Sequence, residues 1–134
     1  MASKFTKATP RKSIAQLLRS TDHANIIDAA STASTGWNSE LRAARWLSTR
    51  AWRILAHDVR ISGIQVDLLA RDPKGVLTII EVKSRSRLAH LSRCQLQRLM
   101  RVGVVLSGYE PVQLRLLIAG GHEMSVLPVD ALTV

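Results

Sequence analysis

The fold is decided by residues 64–85, which read IQVDLLARDPKGVLTIIEVKSR. Two runs rich in β-branched residues, 64–71 and 76–85, flank the sequence Asp-Pro-Lys-Gly and predict two strands joined by a turn. Asp first, Pro second and Gly fourth is the order that a type I turn prefers. A left-handed glycine after such a turn gives a three-residue hairpin loop with a bulge. This loop fixes the register and places Asp72 opposite Val76.

The predicted register places four polar side chains in one cluster. Asp67 falls opposite Glu81, and Gln65 falls opposite Lys83. Opposed residues share a face of the sheet, with side-chain bases about 5 Å apart. The other face of the hairpin is then free to carry the apolar side chains of the core, which are Ile64, Val66, Leu68, Ile80 and Val82.

Two interpretations of this cluster stay open from the pattern alone. Carboxylates placed directly opposite each other repel and destabilise a sheet. A divalent cation removes that repulsion, and Mg²⁺ takes oxygen ligands. The alternative is a solvated polar face on which Lys83 pairs with both acids.

The flanking sequence predicts an α/β fold. Apolar residues at helical spacing indicate helices over residues 39–50 and 88–106. Further strands are predicted at residues 53–60 and 114–119, with a short last strand at 124–129. The expected architecture is a mixed central sheet of four to five strands flanked by helices, in the order helix, three-strand meander, helix, strand and last strand. Residues 36–134 are predicted to form this domain, and residues 1–35 a basic, partly disordered arm with a short helix over residues 13–30.

Composition narrows the function. The 134 residues are 46% hydrophobic, which suits one globular domain. The single cysteine excludes a disulfide framework. A single unpaired thiol fits a reducing compartment, so we expect a cytoplasmic protein. No apolar run approaches the ~18 residues of a membrane span, so we expect neither a transmembrane protein nor a membrane partner.

Charge points to a polyanionic partner. The net charge is +9, and residues 36–107 hold 13 basic and 5 acidic side chains, a net +8. Such a bias is the electrostatic footprint of a nucleic-acid-binding protein. Aromatic residues make up only 4%, which argues against recognition by base stacking. We therefore expect recognition of backbone and shape in a duplex or branched structure, with DNA as the favoured partner.

Residues 36–108 resemble a known group. Asp67, a hairpin and then Glu81-Val82-Lys83 resemble the PD-(D/E)XK nuclease superfamily. The helix start Glu40-Leu41-Arg42-Ala43-Ala44 and the strands at residues 64–70 and 80–85 are similar to the YraN-like family of small predicted endonucleases, which is related to archaeal Holliday junction resolvases. The resemblance implies a restriction-endonuclease-like core and a metal-dependent endonuclease acting on structured or branched DNA. The sequence departs from the family at Gln65, where Glu is usual, and at Gln95, where Lys is frequent.

The resemblance also implies roles for residues. Asp67 and Glu81 would hold Mg²⁺ or Mn²⁺, and Lys83 would orient water or stabilise charge on the phosphate. Glu40 would reach the centre from the first helix as a water-mediated ligand or a catalytic base, with Gln65 and Gln95 in support. The alternative for Glu40 is an acid that only stabilises the N-terminal turn of its helix. Basic side chains near the centre are the expected nucleic-acid contacts, namely Arg85, Arg87, Arg93, Arg98, Arg101, Arg42 and Arg45.

Three functions stay open. The first is the metal-dependent nuclease, which by analogy with resolvases would act as a homodimer. The second is a non-catalytic nucleic-acid-binding protein on the same fold, with a degenerate metal site at which Gln65 and Gln95 have removed charge. The third is a structural or assembly protein whose basic surface is incidental.

Overall fold

A computed structural model of the chain describes residues 13–19, 39–84, 92–119 and 124–129. These ranges hold three helices and five strands. In chain order they are α1 (Ile14–Arg19), α2 (Ser39–Ser48), β1 (Arg53–Ile61), β2 (Ile64–Arg71), β3 (Leu77–Ser84), α3 (Arg93–Ser107), β4 (Val112–Ala119) and β5 (Ser125–Pro128).

The strands form one mixed sheet in the order β1-β2-β3-β4-β5. Strands β3 and β4 pair in parallel, and all other neighbours are antiparallel. Parallel neighbours need a long crossover connection, which here contains helix α3. The predicted α/β class, with a five-stranded mixed sheet flanked by helices, is confirmed. The predicted start of the second helix at residue 88 lies outside the described residues.

Helices cover both faces of the sheet. On one face, α1 and α3 contribute Ile14, Leu18, Leu99, Val102 and Leu106 to a buried cluster. On the other face, α2 contributes Ala43, Ala44 and Leu47 to a second cluster. The two clusters hold the sheet between layers, as in other folds with helices on both sides of a sheet.

Helix α1 lies within the predicted N-terminal arm, and its Ile14 and Leu18 are buried. Residues 1–12 and 20–38 lie outside the described residues, so the division into arm and domain stays a prediction. None of the helices in the described ranges has the length and apolarity needed to cross a bilayer.

The β2–β3 turn has the predicted form. The Gly75 amide donates to the Asp72 carbonyl at 2.8 Å, and the Asp72 amide donates to the Val76 carbonyl at 3.0 Å. Gly75 has φ +89°, a conformation that costs little for glycine alone. The ladder pairs Arg71 with Leu77 and Leu68 with Ile80, which is the register that the turn predicts.

The predicted division of faces is wrong for part of the hairpin. Ile64 and Val66 pack in the cluster under α1 and α3, whereas Leu68, Ile80 and Val82 pack in the cluster under α2. The apolar side chains of β2 therefore change face between Val66 and Leu68, at Asp67. The β1–β2 ladder pairs Val66 with Val59 and Leu68 with His57, so Asp67 lies opposite Asp58. Asp58 has φ +54°, which breaks the alternation of side chains along β1.

Candidate active site

The ladder between β2 and β3 ends at Leu68 and Ile80, and a groove of about 340 Å³ lies beyond this point. Asp67 and Glu81 both line it. The remaining lining comes from the β1–β2 hairpin and from helix α3, through Arg60, Gly63, Ile64, Gln65, Gln95, Arg98 and Leu99.

Asp67 ends the strand pairing with its side chain. Its Oδ2 accepts a hydrogen bond of 2.8 Å from the Val82 amide, in place of a backbone carbonyl. Burial, and then the nearby Glu81 carboxylate, raise the pKa of Asp67 from 3.8 to about 7, although the Val82 bond acts in the opposite direction. The β2–β3 ladder ends at Leu68 and Ile80, one position before the predicted Asp67–Glu81 pair, and the two acids stay close enough to share a side-chain hydrogen bond.

Glu81 and Lys83 lie on the same strand, two residues apart. The Lys83 Nζ is 3.6 Å from the Glu81 Oε2. Burial raises the pKa of Glu81, and Lys83 counteracts part of this effect. The Lys83 ammonium therefore reduces the repulsion between Asp67 and Glu81 without removing it.

Glu40 approaches the pair from the other layer. It lies in the first turn of α2. Burial, and then the charge of Asp67, raise its pKa. The neighbouring His57 lowers it, and the buried Nδ1 of that histidine has no hydrogen-bond partner among the residues that the structure describes. The predicted third acid is thus within electrostatic range of the centre.

The two glutamines line the groove but have other partners. The Gln65 Nε2 donates to the Asp58 Oδ1. The Gln95 Oε1 accepts from the Ser92 amide at 3.1 Å, and the Gln95 amide donates to the Ser92 Oγ at 3.1 Å. This capping box starts helix α3 beside the groove. The predicted pairing of Gln65 with Lys83 is not formed; Gln65 is paired with Arg60 on β1.

The donor set suits a hard divalent cation. Asp67 and Glu81 offer carboxylate oxygens from adjacent strands, and burial raises the pKa of both because it disfavours their charged forms. Mg²⁺ commonly binds through one or two carboxylates and keeps several waters. No group of three His, Cys, Asp or Glu side chains within the described ranges is arranged to hold a metal ion. The site therefore fits a cation shared with water or a ligand, and does not fit a closed all-protein cage.

The predicted basic contacts fall into three sets. Arg98 borders the groove, and Arg93 and Arg101 are exposed on the same helix. Arg42 and Arg45 are exposed on α2, where they line a separate groove with Trp46 and Met124. Arg85 and Arg87 lie outside the described residues.

The structure adds two residues that the sequence pattern does not single out. Arg60 borders the groove beside Gln65, and Asp58 accepts the Gln65 hydrogen bond. The Ser62-Gly63 break after β1 is the sequence signal that could have identified Arg60, because a tight hairpin turn at Ser62 and Gly63 places Arg60 next to Gln65. No sequence signal marks the left-handed Asp58, since aspartate adopts this conformation only occasionally.

The fold and groove define a small α/β protein with an acidic pair at the open end of a hairpin. The profile of Uncharacterised protein family UPF0102 matches residues 39–107, and the chain belongs to this family. This membership confirms the resemblance to the YraN-like family.

Individual relatives agree with the family assignment. A UPF0102 protein of Ralstonia pickettii (strain 12J) is 31% identical over 99 residues, which cover 74% of this chain and 72% of the relative. A UPF0102 protein of Dechloromonas aromatica (strain RCB) is 43% identical over 56 residues, which cover 42% of this chain and 46% of the relative. Among solved structures, the SPO1766 protein of unknown function from Silicibacter pomeroyi has a TM-score of 0.39 and 22% identity, with 65% of each chain covered.

Proposed function

We propose that the protein is a divalent-metal-dependent endonuclease that hydrolyses phosphodiester bonds in structured or branched DNA. The observation that carries this proposal is the shared groove of Asp67 and Glu81, two half-buried carboxylates from adjacent strands with the Lys83 ammonium beside them. If the two carboxylates had only a structural role, their mutual repulsion would destabilise the fold without any compensating benefit.

Asp67 and Glu81 would hold Mg²⁺ or Mn²⁺. When bound, the cation would neutralise charge at the phosphate and lower the pKa of water that it binds. The Val82 amide donates to the Asp67 Oδ2, and the Asp67 and Glu81 carboxyl groups share a side-chain hydrogen bond. This anchoring presets the orientation of the carboxylate before any ligand binds.

Lys83 and Glu40 supply the remaining chemistry. The Lys83 ammonium lies next to Glu81 and can donate to a phosphate oxygen as negative charge develops there. Glu40 has a raised pKa, so its carboxylate is a stronger base than an exposed glutamate and can accept a proton from the attacking water.

The net charge of +9 and the exposed arginines of α3 support DNA as substrate. They bring phosphates towards a groove whose floor is acidic. Since aromatic residues are few, we infer recognition of backbone shape rather than of bases.

A second function is favoured by a specific observation. The described acids form no three-residue metal group, and both groove glutamines are engaged in protein hydrogen bonds. These features suit a nucleic-acid-binding protein whose metal site has degenerated.

Cleavage of a branched DNA substrate in Mg²⁺ or Mn²⁺ separates the two functions. The nuclease predicts cleavage by the wild-type protein and its loss in Glu81→Gln, with DNA binding retained. Glu110→Gln is the matched control, because Glu110 is an acid that pairs with Arg71 away from the groove. Binding without cleavage by the wild-type protein would favour the second function, and cleavage by Glu81→Gln would show that the site is misassigned.

A further inference from the structure

We propose that Arg60 and Arg98 form a clamp that holds backbone phosphates of a DNA strand over the Asp67–Glu81 pair. This inference deepens the proposed function and rests on it for the nature of the substrate. Arg60 comes from strand β1 and Arg98 from helix α3, and both border the groove that contains the two acids.

The position of Arg60 follows from the β1–β2 hairpin. Ser62 and Gly63 form a two-residue turn with φ values of +51° and +77°, which suits a tight hairpin. The ladder then pairs Ile61 with Ile64 and Arg60 with Gln65. Paired residues project from the same face of a sheet, so Arg60 is held beside Gln65 at the groove.

The position of Arg98 follows from helix α3. It lies three residues after Gln95, whose capping box fixes the start of the helix. Residues three apart are neighbours on a helix surface, so both side chains border the groove. Leu99 is buried in the core, which fixes the rotation of the helix.

Both arginines are available to a ligand. They are exposed, and neither belongs to the ion pairs of the described residues, which join Arg71 with Glu110 and Lys83 with Glu81. The guanidinium groups therefore keep their charge and their donors at the rim of an acidic groove. A planar guanidinium matches the two free oxygens of a phosphodiester.

The charge layout selects the ligand. The groove floor repels phosphate, while its rim attracts phosphate from two separate elements. A polynucleotide strand suits this layout because it presents successive phosphates, so its neighbouring phosphates can bind the rim while one lies over the floor. A free phosphate monoester cannot bind both rim and floor in this way.

The test measures binding of a fluorescent DNA duplex by anisotropy as a function of salt concentration, without divalent cation. The slope of log affinity against log salt concentration is negative, and each phosphate contact adds about 0.9 to its magnitude. We expect Arg60→Gln and Arg98→Gln each to reduce this magnitude by about one, and the double variant to reduce it by about two. Arg60→Lys should restore the slope, because the charge is retained.

Arg53→Gln is the matched control, since Arg53 is an exposed arginine at the opposite end of strand β1. Its slope should equal that of the wild-type protein. A wild-type slope in Arg60→Gln, or an equal loss in Arg53→Gln, would overturn the clamp. Thermal unfolding of each variant excludes loss of fold as the cause.

The clamp and the nuclease fail separately. Lowered slopes in the clamp variants, with no cleavage by the wild-type protein in Mg²⁺ or Mn²⁺, would support the clamp and reject the nuclease. Cleavage by the wild-type protein with unchanged slopes in the variants would support the nuclease and reject the clamp.

Discussion

The two ends of the β2–β3 hairpin use polar residues in opposite ways. At the turn end, Asp72 accepts bonds of 2.9 Å from the amides of Lys74 and Val76, and Gln113 donates to its other oxygen at 2.9 Å. Arg71 donates to both oxygens of Glu110, at 2.7 and 3.1 Å. At the open end, the Asp67 Oδ2 accepts from the Val82 amide, the Asp67 and Glu81 carboxyl groups share a side-chain hydrogen bond, and burial raises the pKa values of both acids.

The difference separates a structural polar network from a candidate functional one. Charges at the turn end are paired with partners that stabilise their ionised forms, as the lowered pKa of Glu110 beside Arg71 illustrates. At the open end, the proximity of Asp67 and Glu81 destabilises their charged forms. This arrangement suits a site at which a bound ligand supplies the compensating positive charge. Four changes test this contrast, in order of decreasing expected effect.

Replacing Lys83, the positively charged side chain at the open end, should have the largest effect, which is on the rate of DNA cleavage. We expect Lys83→Ala to lower the rate of DNA cleavage by about 10²–10³-fold, the magnitude found when a donor to a developing negative charge is removed. Binding of DNA should change little, because the rim arginines are intact. The measurement is the single-turnover rate of DNA cleavage, with DNA affinity measured in parallel. Cleavage by Lys83→Ala at the wild-type rate would show that Lys83 does not take part in catalysis.

The acidic pair should make stability depend on pH in one direction. In the folded state the pKa of Asp67 is about 7, against an ordinary value of 3.8. Between these values the folded state holds more protons than the unfolded state, so the free energy of unfolding falls as pH rises and levels off above about 7. We expect the melting temperature without metal to fall by several degrees over this interval.

Asp67→Asn is the control for this pH dependence. Its amide keeps an oxygen that can accept from Val82, but it cannot titrate. The variant should lose most of the fall and be more stable than the wild-type protein at pH 8. Parallel pH profiles of the two proteins would show that Asp67 is not the titrating group.

Strain at the turn should lower stability without altering the chemistry of the open end. Alanine at Gly75 would have to adopt φ +89°. A left-handed conformation costs a residue with a Cβ about 1–2 kcal/mol. Urea unfolding of Gly75→Ala should show this loss, while divalent-metal affinity of the folded protein is unchanged; a large loss of metal affinity would mean that the two ends are coupled through the register.

The ion pair at the turn end should contribute least. The Arg71 and Glu110 side chains are 26% and 32% exposed, so water screens their attraction. Glu110→Gln should cost at most about 1 kcal/mol and leave cleavage unchanged. A larger loss in urea unfolding would show that this pair controls the hairpin register.

The sequence predicts the fold and most of the groove because its signals there are local. The Asp72-Pro73-Lys74-Gly75 turn alone sets the hairpin register, and this register brings Asp67 and Glu81 to the same end of the sheet. Glu40, from a distant part of the chain, could be placed near them only through the family resemblance.

The exchange of faces at Asp67 could not be predicted in the same way. It depends on the left-handed Asp58 of the neighbouring strand, and aspartate carries no strong preference for that conformation. Strict alternation therefore places Ile64 and Val66 on the wrong face. The sequence does not single out Arg60 either, because its place at the groove depends on the pairing between β1 and β2, for which the Ser62-Gly63 turn is the one local signal.

The most direct test of the central claim is a calorimetric titration of Mn²⁺ and Mg²⁺ into the wild-type protein and Asp67→Asn. If Asp67 and Glu81 form a metal site, the wild-type protein binds the cation in a saturable, stoichiometric manner and Asp67→Asn does not. Equal binding by the two proteins, or no saturable binding by the wild-type protein even with DNA present, would contradict the account.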